Sequence, residues 1–324
     1  MKKILIIHTG GTISMLEDKT TGKVSISNEH PLSGLVDYVN TYAVVEERIE
    51  FSLPSPQITP EHMLSLANTI NQLLNMYDGF VITHGTDTLE ETAYFLSLVL
   101  DTEKPIIVTG AMRSYNEIGS DALYNLISSV RVAISKDARK KGVLVVMNDE
   151  IHPASNVTKT STSNIATFQS PQYGPIGIIT KEKVLFHHSL LPGNAYPITS
   201  LTKKVYLLTA VSGMKGDIIQ AIRYLKPDGL VIEGLGQGNL PKDVVDEIKL
   251  LIDSSIPIIL VSRCYQGVVQ PTYGYDGGGR QLKDMGVIFT NGLTGPKARI
   301  KLLVALEKTN DMNVLKKMFE EEIN

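Results

Sequence analysis

The chain has 324 residues, 43% of them apolar and 20% charged, with a formal net charge of −3, a composition ordinary for a globular protein. A chain this long buries most of its apolar surface without covalent staples. The single cysteine, Cys264, excludes an intrachain disulfide framework and fits a reducing compartment, and the lack of a basic footprint argues against a nucleic-acid or membrane-surface binder.

The start, Met1-Lys2-Lys3 followed by Ile4–Ile7, has the charge of a signal peptide, but its apolar run stops at His8, short of the ~7–15 residues such a peptide needs. No stretch approaches the ~20 apolar residues of a membrane span. The expectation is a cytoplasmic protein, without a leader, that opens on a strand. Downstream, Thr59-Pro60-Glu61 is a helix start, with a capping hydroxyl, proline at the first helical position and an acid in the first turn. Met63, Leu66, Ala67, Ile70 and Leu73 then repeat on one face. Phe80-Val81-Ile82 is a second apolar run. Thr88 with Glu91 has capping-box spacing and opens a helix over Leu89–Leu100. Further runs are Ile106-Ile107-Val108 and Val143–Met147. Periodicity breaks over Leu190–Thr202, where Pro192-Gly193-Asn194 and Pro197 fall. After it come Val205–Leu208, Leu230-Val231-Ile232, a helix opened by Pro241 over Lys242–Ile252, Ile258–Val261, and a helix opened by Pro296 over Lys297–Glu307.

Runs that are apolar at every position suit strands buried on both faces of a parallel sheet. Their alternation with helices predicts an α/β fold with right-handed crossovers. The division is an N-terminal domain over residues 1–190, a linker over 191–202 and a smaller C-terminal α/β domain over 203–324.

Parallel sheets bind ligands beyond the carboxyl ends of their strands, so the loops leaving strands carry the candidates. His8-Thr9-Gly10-Gly11-Thr12-Ile13 places a hydroxyl behind two glycines that permit close backbone approach; read alone, it is equally a glycine-rich turn or an anion cradle. Thr83-His84-Gly85-Thr86-Asp87-Thr88 leaves a strand and enters a helix. With Thr88 assigned to the cap, Thr86 and Asp87 are free for chemistry, or Asp87 merely complements the helix dipole. His84 reads as a hydrogen-bonded structural histidine. In Asn156-Val157-Thr158-Lys159-Thr160 the lysine is a buried base or a solvated charge. Asp149, Glu150 and His152 match no metal-ligand spacing, so no metal is assigned. Pro54-Ser55-Pro56-Gln57 offers polar groups on a rigid loop for the charged ends of a ligand.

Thr9-Gly10-Gly11-Thr12-Ile13, Thr83-His84-Gly85-Thr86-Asp87-Thr88 and Thr158-Lys159-Thr160, in this order, resemble the bacterial L-asparaginase/glutaminase family. Gly234–Leu240 and Asn291–Ala298 extend the similarity over nearly the whole chain. The early position of the first motif is similar to the cytoplasmic type I branch. The resemblance implies a larger flavodoxin-like parallel-sheet domain and a smaller Rossmann-like one, hydrolysis of L-asparagine to aspartate and ammonia with weak glutaminase activity, and no cofactor. It implies Thr12 as nucleophile, with Thr86, Asp87 and Lys159 activating a hydroxyl or water. Ser55, Gln57, Thr86 and Asp87 would bind substrate, although the family often has Asp where Gln57 stands. Asn239, in Gly236-Gln237-Gly238-Asn239, matches a residue that reaches a neighbouring subunit's site, so a homodimer or homotetramer with a shared site is expected. A lysine acts as a base only when neutral; burial favours that form and an adjacent carboxylate opposes it.

Two departures stand out. The family's mobile loop after the nucleophile usually carries a tyrosine, whereas Ser14–Asn28 has none and Lys23 sits near its place; Asp18, Lys19, Gly22 and Lys23 still suit a solvated lid. Periplasmic relatives supply a partner glutamate, and the comparable Tyr273–Gly279 has none, as in type I. Cys264 falls where some type I relatives bind asparagine allosterically, or else it is a buried small hydrophobe. Two readings compete. A tRNA-dependent amidotransferase subunit would carry an extra N-terminal domain, against a first motif within ten residues of Met1. A nucleotide-binding module would need Walker or dinucleotide spacing at the first strand, and neither is present.

Overall fold

The computed structural model describes residues 1–26, 36–190 and 193–321. The chain forms two compact units, Met1–Ala195 and Tyr196–Asn324.

The first unit contains, in chain order, β1 (Lys3–Gly10), β2 (Met15–Glu17), β3 (Val24–Ile26), α1 (Val36–Val39), β4 (Val44–Leu53), α2 (Pro60–Leu73), β5 (Gly79–Thr83), α3 (Leu89–Val99), β6 (Ile106–Thr109), α4 (Ala122–Ile134), β7 (Val143–Met147), β8 (Glu150–Pro153), β9 (Thr158–Lys159), β10 (Phe168–Gln169), β11 (Gly177–Ile179) and β12 (Val184–Phe186). Eight of these strands make one sheet in the order β12-β11-β8-β7-β6-β5-β1-β4. Strands β4, β1, β5, β6 and β7 are mutually parallel. Renumbered among themselves they run 2-1-3-4-5, the flavodoxin-like order, whose switch point lies between β1 and β5.

The all-apolar runs are explained by cover on both faces. Ile4, Ile6, Val81, Ile107 and Leu144 pack on one side with Leu126, Val130 and Ala133 of α4, while α3 lies against β6 and β7. The parallel part ends at β7, where Asn148 and Asp149 adopt φ of 49° and 65°. Two consecutive left-handed residues make the tight turn that matches strand twist, and β8, β11 and β12 continue antiparallel.

Three local expectations are refined. The α2 start is built as expected from Thr59 and Pro60, but His62 fills the third helical position, where its Nδ1 accepts the Thr59 N–H at 3.1 Å. Thr88 precedes α3 without making the capping bond; its hydroxyl donates instead to the Ser55 carbonyl at 2.8 Å. The helix after Pro241 opens with a 3-10 turn, Lys242–Val244, before becoming regular.

The second unit is β13 (Val205–Thr209), α5 (Asp217–Tyr224), β14 (Gly229–Gly234), α6 (Val245–Asp253), β15 (Ile258–Ser262), α7 (Gly279–Asp284), β16 (Ile288–Phe289), α8 (Gly295–Lys308) and α9 (Met312–Glu320). Its four strands are all parallel, in the order β13-β14-β15-β16. Leu230, Ile232 and Leu260 pack against Ile219, Ile222, Ile248 and Leu251 of α5 and α6, and α8 covers the sheet from β13 to β15. Cys264 follows β15 and is exposed, which overturns its reading as a buried hydrophobe. Among the described residues no helix is long and apolar enough to cross a membrane.

Helix α6 ends in a Schellman motif. The Ser255 N–H donates to Ile252 O at 2.8 Å and the Ile256 N–H to Leu251 O at 3.0 Å, with Ser255 at φ 62°. That conformation costs a side-chain-bearing residue about 1–2 kcal/mol, partly offset in a glycine variant by the larger entropy of its unfolded chain. Ser255→Gly should therefore raise stability by about 0.5–1 kcal/mol, seen as a higher urea midpoint at unchanged slope. A lower midpoint would show that the serine side chain makes a compensating contact.

Candidate active site

At the switch point the loops after β1, β4 and β5 come into backbone contact. Gly11 sits at φ 82° and its N–H donates to Leu53 O at 3.1 Å. A Cβ on Gly11 would lie 2.1 Å from Gly85 Cα, and one on Gly85 would lie 2.6 Å from Ser55 Cβ. Only glycine permits both the angle and the approach. The contact places Thr12, which opens a one-turn 3-10 helix over Thr12–Ser14, beside the Thr86 loop.

Buried hydrogen bonds hold the strand ends beneath. The Thr9 hydroxyl donates to Thr83 O at 2.9 Å, and His8 Nδ1 lies 2.8 Å from Thr83 Oγ1. His84 is buried, with Nδ1 2.8 Å from the Gly85 carbonyl and Nε2 2.9 Å from Thr92 Oγ1. A carbonyl only accepts, so Nδ1 carries the hydrogen and Nε2 receives the Thr92 hydroxyl. Desolvation holds this imidazole neutral and pushes its pKa down to about 4, against the opposing pull of the Gly85 carbonyl. His84 therefore braces the loop, as its sequence context suggests.

Ser55 is buried, and its Oγ accepts the Asp87 N–H at 3.2 Å. Lys159 arrives from the two-stranded ribbon β9–β10. Its Nζ donates to Thr86 Oγ1 at 3.0 Å and to Asp87 Oδ1 at 2.7 Å. The Lys159 side chain is 16% exposed and that of Asp87 61%, so the carboxylate keeps an open side for a ligand while the amine is committed to the interior. Thr86 is buried against them.

These groups open on a cavity of about 210 Å³. Its wall contains Thr12, Ser55, Thr86, Asp87 and Lys159, five of the seven residues nominated from sequence. Gln57 is exposed on the 3-10 turn Ser55–Gln57 and stands outside the lining, to which the buried Ser55 and the exposed Pro56 of the same turn contribute. Asn239 belongs to the second unit, where its Oδ1 accepts the Gly279 N–H at 3.2 Å. Sequence reasoning missed Met15, Met112 and Thr162, which complete the wall with Pro54 and Pro56. Met112 follows β6, so extending the carboxyl-end rule to that strand would have found it; Met15 and Thr162 lie three residues beyond Thr12 and Lys159.

The segment nominated as a lid forms the β2–β3 hairpin as far as residue 26, with Ser27 and Asn28 outside the described residues. Its turn is organised by Asp18, whose carboxylate accepts the Thr20 and Thr21 N–H groups, each at 2.9 Å. Among the described residues no cluster of His, Cys, Asp and Glu could hold a metal ion. Within the nominated trio, His152 is buried between Glu150 Oε2 at 3.3 Å and Ser170 Oγ at 3.0 Å, and burial raises the Glu150 carboxyl above its usual range.

Hydroxyls, an amine and a carboxylate gathered in a small pocket at a switch point form a site of the kind used by hydrolases that work through hydroxyl nucleophiles. Comparison with known proteins agrees. Residues 3–192 match the family model described as Asparaginase, N-terminal, and residues 204–319 that of the Glutaminase/Asparaginase C-terminal domain. A probable L-asparaginase of Deinococcus radiodurans is 35% identical over 327 residues, covering 100% of this chain and 98% of that protein. An L-asparaginase of Bacillus licheniformis is 34% identical over 94% of this chain and 95% of that protein. The crystal structure of a probable cytoplasmic L-asparaginase from Campylobacter jejuni superposes with a TM-score of 0.87 at 32% identity, covering 98% of this chain and 99% of that one. The chain belongs to the asparaginase family of amidohydrolases.

Two outcomes follow from this geometry. Gly11→Ala forces the Thr12 and Thr86 loops apart and should lower kcat/KM for amide hydrolysis by about 100-fold or more; activity within about threefold of wild type would show that the contact is dispensable. The His84 imidazole is neutral in the fold down to about pH 4, whereas in the unfolded chain it protonates below its ordinary pKa of about 6.5. The unfolded state thus binds more protons between these values, and stability falls as pH drops through that window. Chemical denaturation of wild type and His84→Gln at pH 7 and pH 4.5 should show a steeper acid loss in wild type, by about 2–3 kcal/mol. Equal losses would mean that another group carries the dependence.

Proposed function

We propose that the protein hydrolyses the side-chain amide of L-asparagine to L-aspartate and ammonia, with weaker action on L-glutamine. The observation that carries this reading is the bond from Lys159 to Thr86 and Asp87, in a cavity whose wall also holds Thr12. Family membership supplies the substrate class.

In this mechanism Thr12 Oγ attacks the amide carbon and its proton passes to the leaving nitrogen. Ammonia departs, leaving a β-aspartyl ester. Water then attacks that ester, and Thr12 recovers its proton as aspartate leaves. Thr86, held by Lys159, handles the proton of the attacking water or hydroxyl, while Lys159 and Asp87 keep Thr86 oriented. Ser55 and the open side of Asp87 take the α-amino and α-carboxyl ends of the substrate. Gln57, exposed beside Ser55 on the same turn, is the remaining candidate from that turn for the charged ends of the substrate. One methylene separates the two amides, worth about 1–3 kcal/mol in an apolar pocket, so asparagine should be preferred by about 10–200-fold.

The same family membership supports self-association, with Asn239 of the partner subunit completing the cavity as the resemblance implies. It also supports a cytoplasmic setting, as in the Campylobacter relative's description. A sedimentation mass equal to one chain would remove the shared-site part of this reading.

Ammonia release from L-asparagine and L-glutamine by purified protein, alongside Thr12→Ala and Lys159→Met, tests the chemistry. The expectation is turnover in the wild type and a loss of about 1,000-fold or more in each variant at unchanged thermal stability. Full activity in Lys159→Met would take the lysine out of the mechanism. No ammonia from either amide would overturn the substrate assignment.

A further inference from the structure

We propose that Asn116 is a positioning residue for this site, fastening the β2–β3 hairpin over the cavity through its side-chain amide. The inference rests on the amidohydrolase reading of the same cavity for its kinetic part, and on geometry alone for the rest.

The Glu17 N–H donates to Asn116 Oδ1 at 2.8 Å, and Asn116 Nδ2 donates to Glu17 O at 2.8 Å. Both main-chain groups of one residue are thus taken by one amide, as a neighbouring strand would take them. The hairpin leaves them free to do so. Met15, Leu16 and Glu17 stand opposite Ile26, Ser25 and Val24, and the Asp18 N–H donates to Lys23 O at 2.9 Å. Hydrogen-bonded pairs alternate along an antiparallel ladder, so Glu17, next to the bonded Asp18, turns its N–H and C=O away from β3. A two-stranded ribbon is marginal by itself in water, and Asn116 supplies the third rung.

The two partners are not equally anchored. The Asn116 loop is tied down at both ends. The Met112 and Arg113 N–H groups donate to the Asp121 carboxylate at 3.0 Å, and the Arg113 guanidinium donates to Gly119 O at 2.9 Å. Within the loop the Glu117 N–H donates to Ser114 O at 3.0 Å and Tyr115 packs on the core. The hairpin turn, by contrast, is exposed from Asp18 to Lys23. The amide therefore holds the hairpin to the loop. The loop carries Met112 and the hairpin carries Met15, and both line the cavity, so the clamp sets the separation of these two parts of the wall. The bonds are exposed to water, where each contributes little alone, so the pair can open and close with each substrate.

The test compares wild type, Asn116→Ala and Asn116→Gln by steady-state kinetics with L-asparagine, by urea denaturation, and by limited trypsin digestion with and without L-aspartate. Lys19 and Lys23 in the exposed turn are the cleavage sites of interest. In Asn116→Ala, KM should rise about tenfold while kcat stays within about threefold and the urea midpoint is unchanged. Cleavage after Lys19 or Lys23 should accelerate, and aspartate, which protects the wild type, should protect the variant less. Asn116→Gln, which keeps the amide on a longer stem, should recover part of both losses. Unchanged KM and unchanged cleavage would overturn the clamp. So would a loss of kcat in step with a lowered urea midpoint, which marks a structural role only. If wild type releases no ammonia, the substrate reading fails by itself, and the cleavage rates of the three proteins still decide whether Asn116 holds the hairpin.

Discussion

The site is organised by an unusually close approach of backbone to backbone. Gly11 and Gly85 touch where the loops after β1 and β5 meet, and Ser55 closes on Gly85 from the β4 side. A side chain on Gly11 would collide with the backbone of Gly85, and one on Gly85 with Ser55, so the loops that carry Thr12 and Thr86 would have to separate. Everything else at the switch point serves to hold that approach: the Thr9 and His8 bonds to Thr83, the buried neutral His84 behind Gly85, and the Thr88 hydroxyl on the Ser55 carbonyl. The reactive groups are few, and the supporting groups are many and mostly buried, as preorganisation requires.

The sheet supplies the second constraint. A parallel arrangement with a switch between β1 and β5 sends the flanking connections to opposite faces, leaving a crevice at the strand ends. Lys159 does not come from a parallel strand. It is delivered by the β9–β10 ribbon, after the chain has reversed at Asn148 and Asp149. The lysine reaches Thr86 Oγ1 and Asp87 Oδ1 together, while the Asp87 side chain remains 61% exposed.

Much of this is written in local pattern. The all-apolar runs at Ile4–Ile7, Phe80–Ile82 and Val143–Met147 are strands because both faces of the sheet are covered. The glycines mark the turn, and of the five nominated residues that line the cavity, Thr12, Ser55, Thr86 and Asp87 lie in loops leaving β1, β4 and β5. What escaped depends on tertiary competition. Thr88 has the spacing of a cap, yet its hydroxyl finds a better acceptor in Ser55 O, a partner 33 residues away. Gln57 is adjacent to a cavity residue and still faces water, because a 3-10 turn rotates successive side chains apart. Met112 carries no polar signature, and Thr162 is one hydroxyl among several in Thr160-Ser161-Thr162-Ser163, so only their place in the fold shows what they line. Cys264 has the composition of a core residue and lies exposed after β15.

The pieces of the cavity are distant along the chain: Lys159 lies 73 residues beyond Thr86, and Asn116 lies 99 beyond Glu17. Bringing such distant residues together costs loop-closure entropy, as does the pairing of β1 with β5 across 75 residues. On the ribosome the Thr12 loop therefore emerges well before the lysine that completes the arrangement. A nascent or partly folded chain holds an incomplete centre, and hydrolytic competence arrives together with the finished sheet.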